Sequence, residues 1–131
     1  MYNNINILSK ALNASWKRNE VINNNIANAD TPNFKRSDVA FENILKEKLS
    51  NQNIEGFTTH SNHISINNKI INDLDYEVVE KGGFSTRIDK NNVDIDVEMA
   101  ERAKNEIYYN AITSRIQSNF QKIKLVINEG R

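Results

Sequence analysis

The stretch Asn24-Asn25-Ile26-Ala27-Asn28-Ala29-Asp30-Thr31-Pro32-Asn33-Phe34-Lys35-Arg36 decides how the rest of the chain is read. It holds the one proline of a 131-residue sequence. Pro32 lacks a backbone N–H and biases Thr31 away from helix. Asn28 tolerates the left-handed conformation in which helices commonly end, and Pro32-Asn33 completes a turn signal. A helix therefore stops here. Before it, Ile5, Leu8, Leu12, Ser15, Asn19, Ile22, Ile26 and Ala29 recur in steps of three and four. That spacing predicts the seam of an amphipathic helix or coiled coil, widened by Ala11, Ala14 and Val21. A helix over roughly 4–29 is on the order of 40 Å long. Ser15 and Asn19 in mid-seam make the packing there weak or register-setting.

The far end of the chain repeats the pattern. Met99, Ala103, Ile107, Ile112, Ile116, Phe120, Ile123 and Ile127 follow mostly helical spacing, broadened by Tyr108, Tyr109 and Ala111. Asp94 or Asp96 suits the N-cap, and Glu98 and Glu101 lie in the first turns, where acids complement the helix dipole. A helix over roughly 97–128 is nearly 50 Å long. Paired together, two such helices bury one stripe each and leave the widened faces for further helices. Periodicity alone leaves a second reading open, an ordinary helical hairpin in a monomeric bundle.

Between them the chain is polar and mixed. Ser37 is a candidate cap for a short helix carrying Val39, Phe41, Ile44, Leu45 and Leu49. Residues 50–72 read as loop. Tyr76 and Val78 alternate with Phe84, Thr86 and Ile88 across Lys81-Gly82-Gly83, the pattern of a small β-hairpin. The fold class expected is mainly α: two long terminal helices in a coiled-coil-like pair, with a short helix and a β-hairpin between.

Composition excludes several functions. Seventeen basic residues against seventeen acidic ones leave no net charge, which argues against general nucleic-acid binding and against an anionic membrane surface. A hydrophobic content of 38% is low for a globule of this size, so part of the order is expected to come from neighbours. There is no cysteine, hence no disulfide and no thiolate zinc site. No apolar run approaches the ~20 residues of a membrane span. The first residues lack the basic and apolar regions of a secretory signal. The chain is therefore expected to stay in the cytoplasm or to leave without a cleaved signal.

Local chemistry does not favour an enzyme. His60 and His63 have a metal-ligand spacing, but Gly56, Ser61 and Asn62 disfavour a helix there, and no third ligand is evident. Asp89, Asn91, Asp94, Asp96 and Glu98 resemble a calcium loop only superficially. Read from Asp89, Val93 stands at a ligand position, Asp94 where glycine is needed and Ala100 where the bidentate glutamate belongs. Gly82-Gly83 is too short to cradle phosphate. No G-x-S-x-G nucleophile elbow is present. Neither catalytic residues nor a cofactor nor a metal are expected. Trp16, off the main seam, reads either as an interface anchor or as half-buried in the helix pair.

The opening stretch resembles the signature N-[IL]-A-N-x-x-T-P-x-[YF]-K of the bacterial flagellar rod and hook axial proteins. Asp30 and Asn33 bring it closest to the proximal-rod family. Thr58-Thr59-His60 through His63-Ile64 is similar to that family's T-H-P-x-H-[IL], with Ser61 where proline is usual. Asn91-Asn92-Val93-Asp94-Ile95-Asp96-Val97-Glu98-Met99-Ala100 is similar to its N-x-V-D-[LI]-D-x-E-M-A. The resemblance covers essentially the whole chain. It implies an N-terminal axial helix over 1–30, a middle region over 31–93 and a C-terminal axial helix over 94–131. It further implies a structural, torque-transmitting subunit of the proximal rod, exported unfolded through the flagellar type III apparatus. The implied partners are other rod proteins and further copies of itself, the rod-to-ring adaptor and the export gate. Nucleic-acid binding and direct membrane insertion are not implied. Asn25, Ile26, Ala27, Asn28, Thr31, Pro32, Asn33 and Phe34 become the assembly motif. Ile5, Leu8, Leu12, Ile22 and Ile26 become the interface of the first helix; Met99, Ala103, Ile107, Ile112, Ile116, Phe120, Ile123 and Ile127 that of the last. Asn33 is expected in the conformation that glycine supplies in relatives, with Asn25 and Asn28 satisfying groups at the helix end. Another flagellar axial protein and a soluble helical adaptor or chaperone are the alternatives.

Overall fold

The structure, a computed structural model, describes residues 2–50, 74–82 and 88–129. Two long helices dominate it: α1, Tyr2–Ala27, and, at the far end, a helix of 35 residues over Ile95–Glu129. Between them lie β1 (Ser37–Ala40), the short helix α2 (Glu42–Ser50) and β2 (Glu77–Glu80), which makes the final helix α3. Both long helices begin two residues earlier than expected from periodicity; α1 also stops two residues earlier, at Ala27, and α3 runs one residue further, to Glu129. The stop at Pro32 holds, and Asn33 has φ 62°, the left-handed conformation expected of it. Asp94 is the N-cap of α3. Its carboxylate accepts from the Asp96 N–H at 3.0 Å and its carbonyl from the Glu98 N–H at 3.0 Å.

α1 and α3 run antiparallel and pack along most of α1. The buried positions of α1 are Ala11, Ala14, Ser15, Ile22 and Asn25, followed by Ala29 in the turn. Ser15, Ile22 and Ala29 match the expected seam. Its intervening positions sit one residue earlier than expected: Ala11 and Asn25 are buried, whereas Leu12 and Ile26 are half-buried and Asn19 is exposed. The reason is that α1 is covered on a second flank by β1 and by the core beside it. Ala11 and Ala14 join Val39, Phe41, Leu74 and Ile112 in one apolar cluster, flanked by Leu8, Leu12, Val21, Ile44, Leu45, Tyr76 and Ile116. Two small side chains on α1 make room for the bulky Phe41, which is 1% exposed.

The middle region departs from the reading in its pairing. Ser37 does not cap a helix; it begins β1, and α2 starts at Glu42, leaving Val39 and Phe41 ahead of it. The small antiparallel sheet is there, but β2 pairs with β1, in the register Ser37 to Glu80 through Ala40 to Glu77. Residues 83–87, the other arm of the hairpin read from the sequence, lie outside the described residues, as do 51–73 with His60 and His63. Ile88 stands in a turn, fully exposed. A strand four residues long with alternation at only two positions is too weak a pattern to choose its own partner.

Phe41 connects every part of this core. Phe41→Ala is expected to lower the unfolding free energy by about 3–5 kcal/mol, the usual cost of emptying a buried aromatic site. Urea denaturation measures it; a loss under about 1 kcal/mol would show that Phe41 is not a core residue.

Candidate functional site at the junction of the two motifs

The helix exit and the start of α3 form one hydrogen-bonded clasp. Past Ala27 the chain turns, and its carbonyls need donors. Within the turn, Asn28 donates from Nδ2 to the Asn24 carbonyl at 2.8 Å, and the Thr31 N–H donates to the Asn28 carbonyl at 3.0 Å. Most of the remaining demand is met from 60 residues away. The Asn91 side-chain amide lies 2.9 Å from each of the carbonyls of Asn28, Ala29 and Thr31, its two hydrogens shared among three acceptors. Its own Oδ1 accepts from the Val93 N–H at 2.8 Å. The Asn33 N–H donates to the Asp89 carbonyl at 2.8 Å, and Lys35 Nζ to the Lys90 carbonyl at 2.8 Å. Lys90 is itself left-handed, with φ 58°.

A second layer lies deeper. Glu98, one turn into α3, is fully buried. Its carboxylate accepts from Arg36 Nε on one oxygen and from Asn25 Nδ2, at 3.1 Å, on the other. Asn25 also brackets the backbone of Ser37: Nδ2 donates to the Ser37 carbonyl at 2.8 Å, and Oδ1 accepts from its N–H at 3.0 Å. One carboxamide thus ties α1, β1 and α3. The Arg36 N–H donates to Asn92 Oδ1 at 2.7 Å, and Asn92 Nδ2 donates to the Lys81 carbonyl at 2.8 Å. Further down the helix pair, Ser15 donates to Asn105 Oδ1 at 2.9 Å, while Asn105 Nδ2 donates to the Ser15 carbonyl at 3.0 Å, both side chains buried.

Around the rim two ion pairs shift titrations. Arg18 grips Glu42 with both terminal nitrogens, at 2.8 and 2.5 Å, and holds that carboxyl below its ordinary pKa despite partial burial. Burial pushes the Asp38 carboxyl up, but the Lys81 ammonium 2.6 Å away and the Val39 N–H outweigh it, so its pKa is lowered as well.

The sequence-derived site residues fall into two groups. Asn25, Asn28, Thr31 and Asn33 lie in the clasp. Pro32 is exposed, while Ile26 and Phe34 are half-buried. Of the residues assigned to the first helix, Ile22 is buried and Ile5, Leu8, Leu12 and Ile26 are half-buried. On α3, Ile112 is buried, with Ile116 and Ile123 half-buried along the same line. Met99, Ala103, Ile107, Phe120 and Ile127 are exposed, so the α3 stripe read from the sequence meets the face turned to α1 at Ile112 and Ile116 and departs from it elsewhere. That face runs through Glu98, Glu101, Asn105, Ile112 and Ile116, and its first half is polar. Apolar periodicity could not find it. Trp16 is 64% exposed, beside an open cleft of about 370 Å³ between α1 and α3 that Arg102, Glu106 and Tyr109 also line. Arg36, Asn91, Glu98 and Asn105 were missed as individual residues. The signal for the first three was their place inside the two motifs. Among the described residues no group of three or more potential ligands is arranged to hold a metal ion, and no helix is long and apolar enough to cross a membrane.

Residues 5–35, α1 with its exit turn, match the family of the flagella basal body rod protein. Nearly the whole chain aligns with flagellar basal body rod proteins named FlgB. Identity is 37% to that of Bacillus subtilis (strain 168), over 95% of this chain and 92% of the relative. It is 34% to that of Aquifex aeolicus (strain VF5), over 97% and 94%. It is 32% to that of Proteus mirabilis (strain HI4320), over 98% and 96%. A helix pair locked by a clasp built from rod-type motifs defines a flagellar basal body rod protein in class. Within that class, the chain belongs to the FlgB family.

Removing one partner of the buried Glu98–Arg36 pair leaves the other charge or hydrogen-bonding group stranded. Glu98→Ala is expected to cost about 3–5 kcal/mol. The double variant Glu98→Ala/Arg36→Met is expected to recover part of that loss in urea titrations; additive losses would rule out direct coupling. On the rim, the lowered carboxyls of Asp38 and Glu42 stabilise the fold above the ordinary carboxylate pKa. That contribution disappears as pH falls through their folded values. Glu42→Gln is therefore expected to flatten the acid limb of thermal stability against pH, with an unchanged limb as the contrary result.

Proposed function

We propose that this chain is a structural subunit of the rod of the bacterial flagellar basal body, working mechanically and without catalysis. Residues 1–30 and 94–131 serve as its axial helices, and 31–93 as the middle region they carry. The observation that carries the reading is the unmatched end of α3. Thirteen residues back from Ser15 and thirteen on from Asn105 bring Tyr2 level with Ser118. The last eleven residues of α3 therefore run on without α1 beside them, over roughly 16 Å. Phe120, Leu125, Val126 and Ile127 are each more than half exposed there, and Ile107 is 72% exposed on the paired part. A helix that offers apolar residues on several sides beyond its own partner is suited to packing among helices of neighbouring subunits. Of the eight residues assigned to the α3 interface, Met99, Ala103, Ile107, Phe120 and Ile127 are exposed and suited to that role.

In this reading the subunit sits in the proximal rod and passes torque along the shaft. It meets other rod proteins and further copies of itself, together with the rod-to-ring adaptor and the export gate. It reaches the basal body through the flagellar export route without a cleaved signal. The clasp holds α1 and α3 in one register, so that both helices present a fixed outer surface to the next subunit.

Deletion of the gene is expected to abolish rods and filaments, with recovery on expression of the wild-type chain. Complementation with Phe120→Asp/Ile127→Asp is expected to leave the purified protein as stable as wild type within about 0.5 kcal/mol, as for exposed positions. The same variant is expected to fail to restore rods by electron microscopy of basal bodies. Wild-type motility with that variant would overturn the reading.

A further inference from the structure

The small sheet has two edges, and they are treated differently. In the β1–β2 register, the Lys81 N–H donates to the Arg36 carbonyl at 2.8 Å. Alternation from that bond turns the backbone groups of Ser37 and Val39 outward on β1, and those of Val78 and Glu80 outward on β2. On β1 every outward group is capped. Asn25 takes the Ser37 N–H and carbonyl, Arg18 Nη2 donates to the Val39 carbonyl at 3.1 Å, and Asp38 Oδ1 accepts from the Val39 N–H at 2.7 Å. On β2 no described residue pairs with the outward groups of Val78 and Glu80. All four residues of β2 are exposed, Val78 by 44% and Val79 by 40%. Glu77-Val78-Val79-Glu80 carries no lysine, proline or bulge on this edge; its short length and its two glutamates are what limit indiscriminate pairing.

We propose that the outer edge of β2 is a docking edge for an extended polypeptide segment bearing lysine or arginine. Main-chain hydrogen bonds to Val78 and Glu80 supply the affinity, as in strand addition to other sheet edges. Charge selects the partner. Glu77 and Glu80 bracket the two valines, Asp75 lies just before them, and neither glutamate has an ion pair among the described residues. The neighbouring Lys81 is engaged with Asp38 at 2.6 Å. Acid-apolar-apolar-acid reads the same in both directions, so a basic-apolar-apolar-basic segment complements it whether it adds parallel or antiparallel. This surface is separate from the exposed face of α3 and does not rest on the rod reading.

The test uses the full chain and a blocked synthetic peptide, Thr-Lys-Val-Val-Lys-Thr. Two controls accompany it: the same peptide with glutamate in place of lysine, and a twin N-methylated at both valines. The lysine peptide is expected to shift the amide resonances of Val78 and Glu80, with at least tenfold weaker binding of both controls. Val78→Pro removes an outward donor and no bond to β1, and is expected to abolish the shifts; Glu77→Lys/Glu80→Lys, which leaves the backbone intact, is expected to reverse the preference to the glutamate peptide. Equal binding of the N-methylated twin, shifts confined to the helices, or Val78 and Glu80 amides as protected from exchange as Val79 in the free protein would each overturn the proposal.

Discussion

A carboxylate with no access to water sits one turn inside α3, and the arrangement of the other elements follows from keeping it satisfied. Glu98 has two oxygens and two donors, Arg36 from the chain entering β1 and Asn25 from the last turns of α1. Each donor is anchored elsewhere by its own backbone contacts: Arg36 through Asn92, Asn25 through Ser37. Moving any one of the three segments strands a buried charge. A buried ion pair contributes little net stability over an apolar replacement, and its clearest use is to specify one arrangement against others. Here it specifies register. A slide of α1 along α3 by one turn would lose the contacts to Glu98 and the reciprocal Ser15–Asn105 pair at once.

The turn between α1 and β1 shows the same economy. Its carbonyls at Asn28, Ala29 and Thr31 converge on the amide of one residue, Asn91. The turn's geometry is therefore not a local property of Thr31-Pro32-Asn33. Pro32 stops the helix and Asn33 reverses the chain, but the closed shape is completed by the segment that precedes α3. Two motifs separated by some sixty residues are one structural object. This explains why both take asparagine and aspartate at so many positions: short side chains that accept, and in asparagine also donate, can cap backbone groups at close range, where longer ones would not fit.

The helices themselves were legible from spacing, since α1 and α3 are long enough for apolar periodicity to accumulate, and the stop of α1 and the start of α3 were legible from Pro32 and Asp94. The face that α3 turns to α1 was not. Glu98 and Asn105 occupy it where an apolar seam would carry leucine, and the apolar spacing runs instead through Met99, Ala103 and Ile107, which are exposed. The shift from Leu12 and Ile26 to Ala11 and Asn25 has the same origin: a second flank of α1 is covered by elements whose positions depend on tertiary contacts. The strand pairing was beyond reach for a different reason. Ser37-Asp38-Val39-Ala40 has no β pattern of its own and becomes a strand because Asn25, Arg18 and β2 satisfy its two edges. The clasp as a constellation was invisible to chemistry-based reading, which looks for catalytic or metal-binding sets; only the likeness to rod and hook proteins marked its segments as special.

Polar and apolar contacts divide the molecule lengthwise, and the division has a mechanical consequence. Near the clasp, α1 and α3 are joined by directional bonds between buried polar groups, which resist both sliding and rotation. Toward the other end the contacts are those of Leu8, Ile112 and Ile116, which resist separation but set orientation less strictly, because dispersion contacts are not directional. Past the level of Tyr2, α3 has no part of α1 beside it among the described residues, and Phe120, Leu125, Val126 and Ile127 are exposed. The contacts thus change along the pair from directional polar bonds at the junction to exposed apolar side chains at the far end. A subunit that must add to a growing assembly benefits from that gradient: the junction keeps the two helices a single unit, while the free end retains the apolar surface whose burial drives association. Reversing the gradient, with an apolar junction and a polar end, would leave the same two helices free to slip and give them nothing to bind.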